Sequence, residues 1–163
     1  MSEGLIWACG VALVALTIGL HAAGVVSIAL VGKRIRAWAQ LRHLTSGRGV
    51  SVVIGVIAAT GLLMAALHAV EVVIWAAAFL WLGAFDSPIE ALLYSVDSLT
   101  TSGASGLRPQ RHWLMLAAFE AVDGMLLFGI STAYVFAVIQ SYWPLLSAPA
   151  ATARDRSGVD PDQ

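Results

Sequence analysis

Residues 86–113 read DSPIEALLYSVDSLTTSGASGLRPQRHW, and how this stretch is housed decides the fold. Ser87-Pro88-Ile89-Glu90 carries the marks of a helix start. Ser87 can accept a backbone N–H as the cap, Pro88 suits the first helical position, and Glu90 stands three residues after the cap. The helix 88–99 spans roughly 18 Å at 1.5 Å per residue, about half a bilayer. A strip of small, hydroxylated residues and glycines comes next, Thr100–Gly106, in which Gly103 can adopt angles a helix cannot. Leu107-Arg108-Pro109 leads away from it.

The flanks of this stretch belong in lipid. The chain has 163 residues, 59% hydrophobic and 12% charged, with a mean hydropathy of +0.82. A soluble domain carries about twice that charged fraction. The composition predicts an all-α integral membrane protein with three spans at 5–31, 50–85 and 113–143. Trp7, Trp81, Trp113 and Trp143 stand near span ends, where indoles favour the interface. Trp75 lies deeper and reads as packing. A net charge of −1 gives no footing for nucleic acid. The lone Cys9 sits in an apolar run with no metal spacing around it. Met1-Ser2-Glu3-Gly4 lacks a basic region, so residues 1–32 read as a retained additional helix rather than a signal peptide.

Lys33, Arg34, Arg36, Arg42 and Arg48 crowd the 33–49 loop, against only Arg108 and Arg111 between the second and third spans. The basic loop should therefore be cytoplasmic, in contact with anionic lipid headgroups. That puts the N-terminus outside a plasma (inner) membrane, residues 86–112 also outside, and the C-terminus in the cytoplasm. Residues 144–163 are polar and Pro/Ala-rich, and read as a disordered tail.

Irregular polar backbone at membrane depth is tolerated only where protein buries it or water lines it. Three spans are too few to surround such a loop, so copies of the chain should enclose it around a symmetry axis. The helix C-terminus, with its partial negative charge, and the Thr and Ser hydroxyls would then favour cations. The competing arrangement is a surface helix in an external loop.

These residues resemble the two-transmembrane pore module of the potassium channel superfamily. The order is span, half-helix ending "SLTT", glycine-containing strip and final span. "EALLYSVDSLTT" looks like the family's pore helix, and "LLFGISTAYVFAVIQ" is similar to the last span of small bacterial members. In that family the filter reads T-V-G-Y-G-D. Thr101 matches its threonine, Ser102 its valine and Gly103 its first glycine. Ala104, Ser105 and Gly106 replace the tyrosine, second glycine and aspartate. The likeness covers 50–143. It implies an outer helix 50–85, a pore helix 88–99, a filter-like loop 100–107 and an inner helix 113–143. It further implies a homotetramer passing a monovalent cation, K+ first, along Thr100, Thr101, Ser102, Gly103, Ala104 and Ser105. The altered positions imply weakened selectivity. A non-conducting scaffold or accessory subunit derived from a pore is the alternative.

Ionisable residues inside spans are costly and face a bundle interior or cavity. His68 and Glu71 lie three apart on one helix face, as do Glu120 and Asp123. They are expected to support the pore, with His68 and Glu71 paired to each other or to the half-helix. Asp97 opposes the dipole of its own helix and needs a donor, from Arg108, Arg111 or a hydroxyl. Gly124 and Gly129 are candidate gating hinges, with close helix packing as the other reading. His21 has no partner in its own span and reads as a packed polar residue. Thr17 and Ser27 can bond back to their own helix. No nucleophile or dense His/Cys spacing accompanies these groups, so neither an enzyme nor a metal centre is expected.

Overall fold

The computed structural model describes residues 3–41 and 49–147, with side chains from 3–34 and 50–143. Every regular element among them is helical. Helix α1 is Glu3–Leu41, α2 is Gly49–Trp81, α3 is Pro88–Leu99 and α4 is Leu114–Ser147, entered through a short 3-10 turn at Arg111–Trp113. Three segments are long and apolar enough to cross a membrane: Glu3–Arg34, Val50–Trp81 and Arg111–Trp143.

Three boundaries differ from the sequence reading. Helix α1 runs through the expected 33–49 loop as far as Leu41. Nothing in Lys33-Arg34-Ile35-Arg36-Ala37-Trp38 breaks a helix, and Lys, Arg and Ala are good helix formers. Arg42 and Arg48 lie outside the described residues. Helix α2 stops at Trp81 rather than at Phe85, because Gly83 takes φ +73° and turns the chain. The tail reading falls almost wholly on residues 148–163, outside the described part, and α4 continues to Ser147.

Packing is set by pairs that cross between helices. Thr17–Asp123 and His21–Ser131 run α1 parallel to α4, whereas His21–Glu71 and His68–Ser131 set α2 antiparallel to both. At one end α1, α2, α3 and α4 share an apolar cluster that includes Ile6, Trp75, Phe79, Tyr94, Leu99 and Leu116. At the other, Val53 of α2 meets Val138 and Tyr142 of α4. Small residues bring backbones close: a Cβ at Gly10 would collide with the Phe119 ring, and one at Gly24 would collide with Leu67.

Helix α3 begins as its sequence dictates. Ser87 caps it with extended backbone and its Oγ accepts the Glu90 N–H at 3.5 Å. Its buried face, Ala91, Tyr94, Ser95 and Leu99, lies in the groove between α2 and α4. The Ser95 hydroxyl reaches the Val72 carbonyl at 3.0 Å, roughly 14 Å before the end of α2 at 1.5 Å per residue. At the far end Leu99 packs backbone to backbone on Gly124, where any Cβ would overlap the Leu99 carbonyl oxygen. Gly124 lies roughly 15 Å along α4 from Leu114. The opposite face of α3, Ile89, Leu93 and Val96, is apolar and exposed.

Candidate functional site

Two polar constellations stand out, one in the strip after α3 and one inside the bundle.

The strip begins earlier than its first glycine. Thr100 caps α3, and Thr101 takes the left-handed φ of +55° that a glycine usually supplies at this position. The Thr101 N–H donates to the Ser98 carbonyl at 3.0 Å and the Ser102 N–H to the Asp97 carbonyl at 2.9 Å. Those two bonds close the helix by the Schellman pattern. A β-branched residue at positive φ is a strained choice. Gly103 and Gly106 then take φ of +61° and +68°, turning the chain twice more.

Asp97 organises this turn. Its carboxylate accepts the Ser102 hydroxyl at 2.7 Å and the Ser105 N–H at 2.5 Å. Of the donors considered in the sequence, a hydroxyl is the one that meets it, joined by a backbone amide. Bonds from Ser105 and then Ser102 hold the Asp97 carboxyl below the usual carboxylate range. The Thr100 hydroxyl bonds back to the Val96 carbonyl at 2.6 Å. The expected path residues Thr100, Thr101, Ser102, Gly103, Ala104 and Ser105 therefore form a compact turn closed on Asp97, and all six are exposed.

The interior constellation is larger. His21 Nδ1 lies 2.7 Å from Glu71 Oε1, and His68 Nδ1 lies 2.9 Å from Glu71 Oε2. The other ring nitrogens meet again on one hydroxyl: Ser131 Oγ is 3.0 Å from His21 Nε2 and 3.1 Å from His68 Nε2. The four side chains make a closed ring joining α1, α2 and α4. His21 and Glu71 are fully buried, and Phe128 stacks on the His68 ring at 4.2 Å. The nitrogens and the carboxylate of His21, His68 and Glu71 lie within 4.8 Å of one another, so these three could hold a metal ion.

One turn along the same seam, Asp123 Oδ2 lies 2.6 Å from Thr17 Oγ1, whose single proton the Leu13 and Val14 carbonyls also attract at 2.9 and 3.1 Å, and it accepts from Trp75 Nε1 at 3.0 Å, while its Oδ1 has no partner among the described residues. Glu120, three positions before Asp123 on α4, bonds to Ser95 of α3 through Oε1, and its Oε2 has no partner among the described residues. The Ser95 hydroxyl has a single proton and two acceptors, the Val72 carbonyl and Glu120. The count closes when Glu120 carries its own proton and donates it to Ser95.

Several sequence readings change here. His21 is not a solitary packed residue; it pairs with Glu71 across 50 positions of chain. His68 and Glu71 do pair with each other, but their further partners are on α1 and α4 rather than on α3. Glu120 is the residue that braces α3. Trp75 packs as expected and also donates to Asp123. Gly124 is the seat of Leu99, which favours its reading as a packing glycine, whereas Gly129 has open space where a Cβ would stand. Ser131, Ser95 and the cross-helix role of Thr17 escaped the sequence, because their partners are far along the chain. The usable signal was Thr17 and His21 at i and i+4 on one face of an otherwise apolar span.

No protein-family model, curated protein or solved structure matches the chain.

Proposed function

We propose that the chain is a subunit of an oligomeric, tetrameric cation channel, with α3 re-entering the membrane and the 100–106 turn facing a shared aqueous axis. The observation that carries this reading is the seating of Leu99 on Gly124. It supports a depth of about half a bilayer for the end of α3, where exposed polar backbone is tolerable only against water or protein. The apolar outer face of α3 supports the same reading, since Ile89, Leu93 and Val96 are suited to a neighbouring copy or lipid rather than water. In this arrangement the ionised Asp97 of each copy adds negative potential beside the axis, and the helix ends add their partial charge. Monovalent cations, K+ among them, are the favoured ions. The departures at Ala104, Ser105 and Gly106 favour weak selectivity.

Flux tests this directly. Purified protein in liposomes with a potassium gradient should release K+ faster than empty vesicles. Gly103→Asp, which puts a side chain and a charge at a positive-φ position, should abolish the excess. Wild-type vesicles no leakier than empty ones would end the channel reading.

A second reading has its own observation. The hydroxyls of Thr100 and Ser102 are committed to Val96 and Asp97, inside the turn. A loop so closed suits a pore-derived scaffold that assembles without conducting. An oligomer in mild detergent with no flux would select it.

A further inference from the structure

We propose that His21, His68 and Glu71 form a binding site for a divalent transition-metal cation of the zinc class, with Ser131 as its brace. The inference uses the interior of one subunit and does not depend on the pore.

Ser131 sets the geometry. Its oxygen has two lone pairs and is nearly equidistant, at 3.0 and 3.1 Å, from the Nε2 atoms of both histidines. Two Nε2–H groups donating to it would satisfy both rings. That tautomer leaves both Nδ1 lone pairs turned toward the Glu71 carboxylate, at 2.7 and 2.9 Å. In that tautomer three electron-rich groups converge with no hydrogen between them, a gap that either a proton or a bound metal cation fills. Two imidazoles and a carboxylate are a donor set suited to zinc and its neighbours. Histidine ligands held through their second nitrogen by an oxygen acceptor are the usual companion of such sites.

Charge supplies a second, independent observation. A dication bound to one carboxylate leaves one positive charge inside an apolar bundle. The Asp123 carboxylate lies one turn away on the same seam, fixed by Thr17 and Trp75, each four positions from a ring residue, His21 and Glu71. Its Oδ1 is buried and unpartnered among the described residues. With a dication bound, ionisation of Asp123 would bring the group to neutrality.

Tag-free protein in detergent, washed with chelator, is titrated with Co2+ and separately with Zn2+. The expected result is one equivalent per chain, with the visible absorption of low-coordinate Co2+. His68→Gln and Glu71→Gln should abolish the band. Ser131→Ala should keep the stoichiometry and weaken affinity about 10- to 100-fold. The remaining histidines, His43 and His112, are removed together as a control, and the band should persist. Melting with and without Zn2+ guards against variants that fail to fold: wild type and the control should both be raised by the metal. Absence of a band and of any stabilisation in wild type, or a band lost only with His43 and His112, overturns the site. In that case the ring is closed by a proton.

Discussion

The bundle interior and the strip after α3 are both polar and both belong to a membrane protein, yet they meet their needs differently. The interior draws its partners from within one chain, although Asp123 Oδ1 and Glu120 Oε2 are left without one among the described residues. His21, His68, Glu71 and Ser131 make a ring, and Thr17 and Trp75 attend to Asp123. The strip leans on one carboxylate, Asp97, and leaves the rest of its surface open. The interior therefore sets stability, and in the proposed assembly the strip is where a neighbouring copy or water completes the structure.

Five substitutions press on this contrast. Glu71→Ala should do the most damage, about 3 kcal/mol or more, because it removes the one carboxylate that both buried histidines face. Thermal unfolding in detergent checks it, and a near-neutral result would deny the ring its structural weight. Gly124→Ala comes next, at about 1–3 kcal/mol by the same measurement, since a methyl group there meets main chain that cannot swing aside. The same change at Gly10 should cost less, because the Phe119 ring can turn away. Thr101→Gly should stabilise slightly, by up to about 1 kcal/mol, by relieving a β-branched residue at φ +55°.

Asp97→Asn should shift global unfolding least, because the carboxylate is exposed, while loosening the 100–106 turn. Amide exchange at Ser105 reports that loosening. The pH dependence has a definite sign. The Asp97 pKa is lowered from 3.8 in the folded chain. Its contribution is thus complete above about pH 4, near the unfolded value. It is lost as pH falls through the lower folded value. Turn protection in wild type should be flat from about pH 7 to 5 and fall in stronger acid, and the Asp97→Asn variant should lack that acid step.

Much of the architecture was legible because it is written locally. Span length and apolarity mark α1, α2 and α4, and Ser87, Pro88 and Glu90 mark the start of α3 within a few residues. The end of α3 was legible too, since the sequence reading closed the helix at residue 99 as the structure does. What the sequence did not mark is that the turn beyond it is made on Thr101, two residues before Gly103, where the Asp97 and Ser98 carbonyls find their donors. The interior site was hardest. His68 and Glu71 announce themselves by spacing, whereas His21 and Ser131 look like isolated polar residues until three helices stand side by side. Periodicity reports which face a residue occupies and says nothing of what lies opposite.

The distances along the chain between ring members also set an order in time. His21 and Thr17 are synthesised first and enter the membrane on a helix that cannot satisfy them beyond bonds to its own carbonyls. Glu71 is made 50 residues later, and the Ser131 that closes the ring 110 residues after His21. During that interval α1 holds an unmatched imidazole in lipid or against the insertion machinery. Of the three helices that share the ring, the one made earliest is thus finished only when the last arrives, and a nascent chain halted before α4 would be an unstable intermediate open to quality control.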